Sequence, residues 1–214
     1  MFKRLSILLA AFSLSFSAHA TLVDFTGEDW QTAIGTNVTA ATVGNVTLTS
    51  SGGYLNFNGG SSEIKGCKAG TSDLACLGDG IGIKQYYNNN DEISRYETLT
   101  ISFLEAIDVS KIYLLDLFLN DNGVDGRDEV AVVSADGNKT YLKATTDKNG
   151  GYFSADYVVG NITSIVLSGY KYCFSDYALA AIDVEVSAVP IPGAAILFGS
   201  ALLGFFGFKR RRAV

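Results

Sequence analysis

Along most of this chain apolar and polar residues alternate. In Glu97–Leu104 (ETLTISFL), Leu99, Ile101 and Phe103 fall on one face and Thr98, Thr100 and Ser102 on the other, the period of two of a strand with one buried side. Thr21–Phe25 (TLVDF) predicts a first strand, and Asn45–Thr49 with Gly53–Phe57 predicts a hairpin turning through Ser50, Ser51 and Gly52. Lys111–Leu119 (KIYLLDLFL) is more continuously apolar and reads as a central strand covered on both faces. DEVAVVS, KTYLKAT, GYFSADYVV and ITSIVLS follow, bounded by turn residues such as Asp136-Gly137-Asn138, Asn149-Gly150-Gly151 and Gly160-Asn161. Ala178–Val186 (ALAAIDVEV) is the last strand, and Glu28–Ala33 (EDWQTA) predicts one helical turn with Trp30 packing inward.

That is roughly nine or ten strands with no amphipathic helix between them, which points to an all-β fold, an antiparallel β-sandwich, and away from βαβ units. A jelly roll is the first expectation and an immunoglobulin-like sandwich the second. The Cys…Trp…Cys order of antibody domains is absent, because Trp30 precedes every cysteine.

The two ends break the alternation. Residues 1–20 carry Lys3 and Arg4, an apolar stretch from Leu5 to Phe16, and then Ala18-His19-Ala20. These are the parts of a secretory signal peptide, a signal helix cut after Ala20 to leave a mature start at Thr21. Residues 21–188 then form the β-sandwich domain, and residues 189–214 form a tail, VPIPGAAILFGSALLGFFGFKRRRAV. Its prolines mark a break from the domain. Ile191–Phe208 spans about 27 Å as a helix, enough for a hydrocarbon core, with the transmembrane helix proper expected over 193–208. Lys209, Arg210, Arg211 and Arg212 would hold that end on the cytoplasmic side.

Val189, Pro190, Ile191 and Pro192, the Gly/Ala/Leu-rich membrane segment and the basic end resemble a PEP-CTERM sorting signal of Gram-negative bacteria. Ile191 stands where that family has Glu. The resemblance implies export by the general secretion machinery and a transient anchor in the inner membrane. It also implies recognition and removal of the tail by an exosortase, with release to the cell surface or medium and an association with exopolysaccharide and biofilm. Asp79-Gly80-Ile81-Gly82-Ile83, Asp91-Glu92-Ile93 and Glu97 with Leu99 and Phe103 resemble an element recurrent in such proteins, which implies a β-sandwich of unassigned activity.

Charge sharpens the picture once both ends are set aside. Of sixteen Lys and Arg, two lie in the leader and four in the tail, whereas all 22 acidic residues lie between, so the mature domain carries about −12. An acidic domain is no nucleic-acid binder, since phosphate contacts need a basic surface. The single histidine, His19, leaves with the leader, which removes His-assisted nucleophiles and His-based zinc sites from the mature domain. Cys67, Cys76 and Cys173 allow three single pairings, and the short KAGTSDLA loop favours Cys67 with Cys76.

Two acidic loops remain. The first includes Asp79, Asp91 and Glu92, the second Asp121, Asp125 and Asp128, each beside Asn and Gly. Such oxygen-rich loops suit a structural calcium, the one cofactor the sequence suggests, and equally suit plain turns. Asp121–Gly126 has an EF-hand flavour but is out of register. Tyr86 and Tyr87, in a polar loop, are the aromatics best placed to stack on sugars. The leading expectation is a non-enzymatic surface or matrix protein. A calcium-dependent, lectin-like carbohydrate module comes second, and a glycan-active enzyme using two carboxylates a distant third.

Overall fold

The computed structural model describes residues 20–58, 80–85, 91–119, 127–145, 151–172 and 175–186, together with Gly199. Among them the alternating segments form ten strands: β1 (Thr21–Asp24), β2 (Ala40–Val43), β3 (Val46–Ser51), β4 (Gly53–Asn58), β5 (Gly80–Gln85), β6 (Thr98–Leu115), β7 (Val130–Ala135), β8 (Asn138–Lys143), β9 (Phe153–Gly169) and β10 (Ala178–Val186). The predicted helical turn is present as α1 (Glu28–Ala33). Its Trp30 is buried and packs on Phe25 with ring centroids 5.2 Å apart. The fold is all-β and antiparallel in every ladder.

The strands run β4-β5-β10-β6-β9-β7-β8, with β1 on β10 and the β2–β3 hairpin joined to β6. β6 is the hub. Its first half, Thr98–Phe103, lies between β3 and β9, and its second half, Ile107–Leu115, lies between β10 and β9. Register shifts between Ser102 and Ile107, and again at Val109 and Lys111, mark where the ladder bends as it changes neighbour. Lys111–Leu115 is central, as its apolar pattern suggests, and Ile112, Leu114 and Leu115 have no exposed surface. Tyr113 faces the other way and donates from its hydroxyl to Asp183 Oδ2 at 2.9 Å.

Three expectations are corrected. ETLTISFL and KIYLLDLFL are two halves of the single eighteen-residue strand β6. GYFSADYVV and ITSIVLS likewise fuse into β9, in which Gly160-Asn161 is a bulge and not a turn; Asn161 sits at φ 55° while the ladder continues on both sides. The expected hairpin of β3 with β4 is absent, because both edges of β3 are already occupied by β2 and β6, while β4 pairs with β5. Gly52, at φ 97°, turns the chain from one set of partners to the other. The pairing that the pattern did not disclose is Ala40–Val43 with Val46–Ser51, closed by Gly44 at φ 57°. β7 and β8 form a hairpin where the sequence marked turn residues, with Asp136 and Gly137 both at positive φ in its two-residue loop.

One continuous core runs through Leu48, Leu99, Ile101, Ile165, Leu167 and Ile182. Ala18–Ser187 is one compact unit, and the two chain ends make up a second, of which only Gly199 is among the described residues. The expected signal helix and the membrane helix over 193–208 therefore fall outside the described residues, apart from Ala20 and Gly199. Among the described residues no helix is long and apolar enough to cross a membrane.

Candidate functional site

Parts of the two acidic loops meet at the start of β10. Ile93 N–H donates to Tyr177 O at 2.8 Å, fixing the Asp91–Glu97 segment against that strand. The approach is close: a Cβ on Gly82 of β5 would collide with Asp91 O and come within 2.9 Å of Glu92 Cα. From the other side, Glu129 N–H donates to Phe118 O at 3.1 Å, and Phe118 N–H donates in return to Glu129 Oε2. Asp176 N–H reaches Glu129 Oε1 at 3.4 Å, and Val130 N–H donates to Ser175 Oγ at 2.8 Å.

The Asp176 carboxyl lies between the two glutamates and hydrogen-bonds to both Glu92 and Glu129. Asp116, in left-handed backbone at φ 56° just after β6, and Asp91 add negative charge near Glu92. Burial pushes the Glu92 carboxyl far up, and the charges of Asp176 and Asp116 add to the effect. Burial does the same to Glu129, reinforced by Asp176 and opposed by the Phe118 N–H. Two carboxyls joined by a hydrogen bond need a proton between them. Burial therefore favours the protonated form of Glu92 and of Glu129.

Nearby, Glu97 is buried at 1% exposure, its Oε2 accepting from Ser94 N–H at 2.8 Å and its Oε1 without a hydrogen-bond partner among the described residues. Burial raises this carboxyl too, against the lowering effect of the Ser94 hydrogen bonds.

Of the six acids expected to ligate calcium, the described residues include three. Glu92 is engaged with Asp176, Asp128 is paired with Lys143 Nζ at 2.6 Å, and Asp91 borders the cluster. Asp79, Asp121 and Asp125 lie outside the described residues. Among the described residues no three His, Cys, Asp or Glu side chains are grouped as a metal ion requires.

Asp116 and Asp176 were not among the acids singled out from the sequence. Asp176 is the sole carboxylate between Asp156 and Asp183, set between Ser175 and Tyr177 at the entry to the last strand. That isolation beside a strand start is the signal that could have found it.

Cys67, Cys76, Cys173, Tyr86 and Tyr87, Ala18, the segment Val189–Pro192 and the cations Lys209–Arg212 lie outside the described residues, and Ala20 is exposed ahead of β1. Phe153, Tyr157 and Tyr177 belong to the core, whereas Tyr96, Tyr141 and Tyr172 are exposed. A cleft of about 250 Å³ beside Gln31, Asn37, Tyr54, Asn56 and Lys84 is smaller than ordinary ligand pockets. Comparison with protein-family models, with curated proteins and with solved structures finds no match to this chain.

Proposed function

We propose that this chain is an exported surface or extracellular-matrix protein of the PEP-CTERM type, sorted by an exosortase and acting without catalysing a reaction. The observation that carries this reading is the order of parts. A leader ends at Ala20, a β-domain runs from β1 at Thr21 to the end of β10 at Val186, and the VPIP segment opens at Val189. Both expected cuts thus fall outside the strands, so removing either end costs the domain no ladder. In this reading the two halves of β6, with different flanking strands, serve as shared edges of a jelly-roll-like sandwich, and the tail anchors the protein in the inner membrane until it is released.

A non-catalytic role is supported by the absence of histidine from residues 21–188, which removes His-assisted nucleophiles. The association with exopolysaccharide rests on the tail's resemblance. The test is the intact mass of the protein from its native host, fractionated into membrane and medium. A species starting at Thr21 and ending near Val189–Pro192 in the medium is the expected result. A membrane-bound species that still carries Lys209–Arg212 overturns exosortase sorting.

A further inference from the structure

The edge of the sheet carries an aromatic cluster that the core does not need. On the edge strand β8, Lys139, Tyr141 and Lys143 alternate onto one face. The register sets Tyr141 beside Val132 of β7, itself beside Ser168 of β9. Tyr170 follows one step on, its N–H donating to Val130 O at 3.2 Å. This is the outward face, because Ala131, Val133 and Leu167, which alternate with those positions, are fully buried.

On it the rings of Tyr141 and Tyr170 meet edge-on at 5.6 Å and 83°, and those of Tyr170 and Tyr172 at 5.3 Å and 71°. Tyr141 is nevertheless 57% exposed and Tyr172 62%. Rings packed on one another hold a fixed geometry while still offering apolar faces to solvent. A contiguous exposed aromatic patch is a mark of a binding surface more than of stability.

Its charge runs against the rest of the domain. Lys171 Nζ lies 4.5 Å from the Tyr172 ring centroid, and Arg127 Nη1 donates to Tyr172 O at 3.1 Å. Lys139 is exposed two residues from Tyr141. Three of the ten Lys and Arg between residues 21 and 188 (Arg127, Lys139, Lys171) are gathered on or beside this face, where Lys143 is paired with Asp128, in a domain that holds 22 acids. A cationic patch on an anionic body concentrates a polyanion there and repels it elsewhere.

We propose that this face binds an anionic polysaccharide, the tyrosine rings carrying the apolar faces of pyranose units and Lys139, Lys171 and Arg127 meeting their carboxylates. The choice of a polysaccharide rests on the matrix reading above; the location and the charge of the ligand rest on the patch itself. A protein that adds a strand to the β8 edge fits less well, because lysines along an edge strand discourage strand pairing.

The test uses the whole exported protein and polygalacturonate as the uronate polymer, with neutral dextran and phosphatidylglycerol vesicles alongside, read by affinity electrophoresis and calorimetry. Polygalacturonate should retard the protein and dextran should not. Tyr141→Ala with Tyr172→Ala should weaken binding about tenfold, the effect of roughly 1.4 kcal/mol of lost contact. Lys171→Glu, at an exposed position that leaves folding intact, should weaken it as well and lessen its salt dependence. Affinity unchanged in both variants overturns the proposal, as does equal retardation by dextran or binding to the vesicles alone. A protein correctly cut and found in the matrix, yet indifferent to polygalacturonate, overturns this site and leaves the sorting reading standing. One that binds polygalacturonate but keeps its tail in the membrane does the reverse.

Discussion

Asp108 on β6 accepts a hydrogen bond from the backbone N–H of Asn161 on β9, Oδ1 to N 2.7 Å. The contact sits where β9 bulges: Asn161 is left-handed at φ 55°, and a Cβ on Gly160 would come within 2.8 Å of the same Oδ1. The carboxylate thus serves an N–H at the bulge, and the glycine makes room for it.

Asp108→Ala should lower stability by about 1 kcal/mol, the value of a hydrogen bond to a charged group at a partly exposed site. Gly160→Ala should cost a similar amount by crowding that oxygen. Combined, the two should cost less than their sum, because the alanine methyl then has space. Urea unfolding of the two single variants and the double variant measures the coupling, and strict additivity would show that the bulge is held by something else.

The buried carboxyls set a pH dependence of definite sign. Glu92 and Glu129 rise from 4.5 to about 9 and about 10 in the folded domain. A raised carboxyl holds its proton more tightly folded than unfolded, so its contribution is complete below 4.5 and is lost as pH climbs toward 9 to 10. The urea midpoint should therefore fall between pH 5 and pH 9, and Glu129→Gln should flatten the slope. A midpoint that rises over that range would instead mean that a bound cation keeps the acids ionised.

How much of this was legible from the residues varies with range. The residue pattern located β1, β7, β8, β10 and the two halves of β6 as separate segments, and Asp136-Gly137-Asn138 marked the turn between β7 and β8. Fusion of the segments on either side of Gly160-Asn161 was not legible, since Gly-Asn suits a turn and a bulge equally and Asp108, which decides between them, lies 53 residues away. The absence of a β3–β4 hairpin has the same cause: Gly52 permits the reversal, and occupation of β3 by the distant β6 forbids it. The carboxyl cluster was half legible. Its loops stood out, but Asp176, which binds them together, comes from a third segment, 84 residues beyond Glu92 in the numbering.

Gly82→Ala should be among the most damaging single changes. The added methyl meets the Asp91 carbonyl and the Glu92 Cα, both backbone, which cannot swing aside. A loss of about 3 kcal/mol or more is expected, whereas Gly35→Ala, with nothing within 4 Å, should be nearly neutral in space terms. Thermal melts of the two variants side by side make the comparison. A tolerant Gly82 would place the Asp91–Glu92 segment farther from β5.

Tyr177 has no exposed surface, and its hydroxyl donates to Ser168 O at 3.0 Å. Tyr177→Phe should cost about 1 kcal/mol. Burial drives its phenol far above the ordinary range, so on alkaline titration followed by absorbance this ring should ionise only as the domain unfolds.

The order of strands constrains when the domain can form. β10 is the last to leave any machine that threads the chain from its N-terminus, yet it is the partner of β1, β5 and half of β6. A chain emerged only as far as residue 177 has three strands with a ladder edge still vacant, and no local contact substitutes for it. Such a chain stays open along those edges until Ala178–Val186 is available to pair. The final strand acts as a latch, joining the first residues of the domain to the last and tying the moment of folding to the arrival of its last strand.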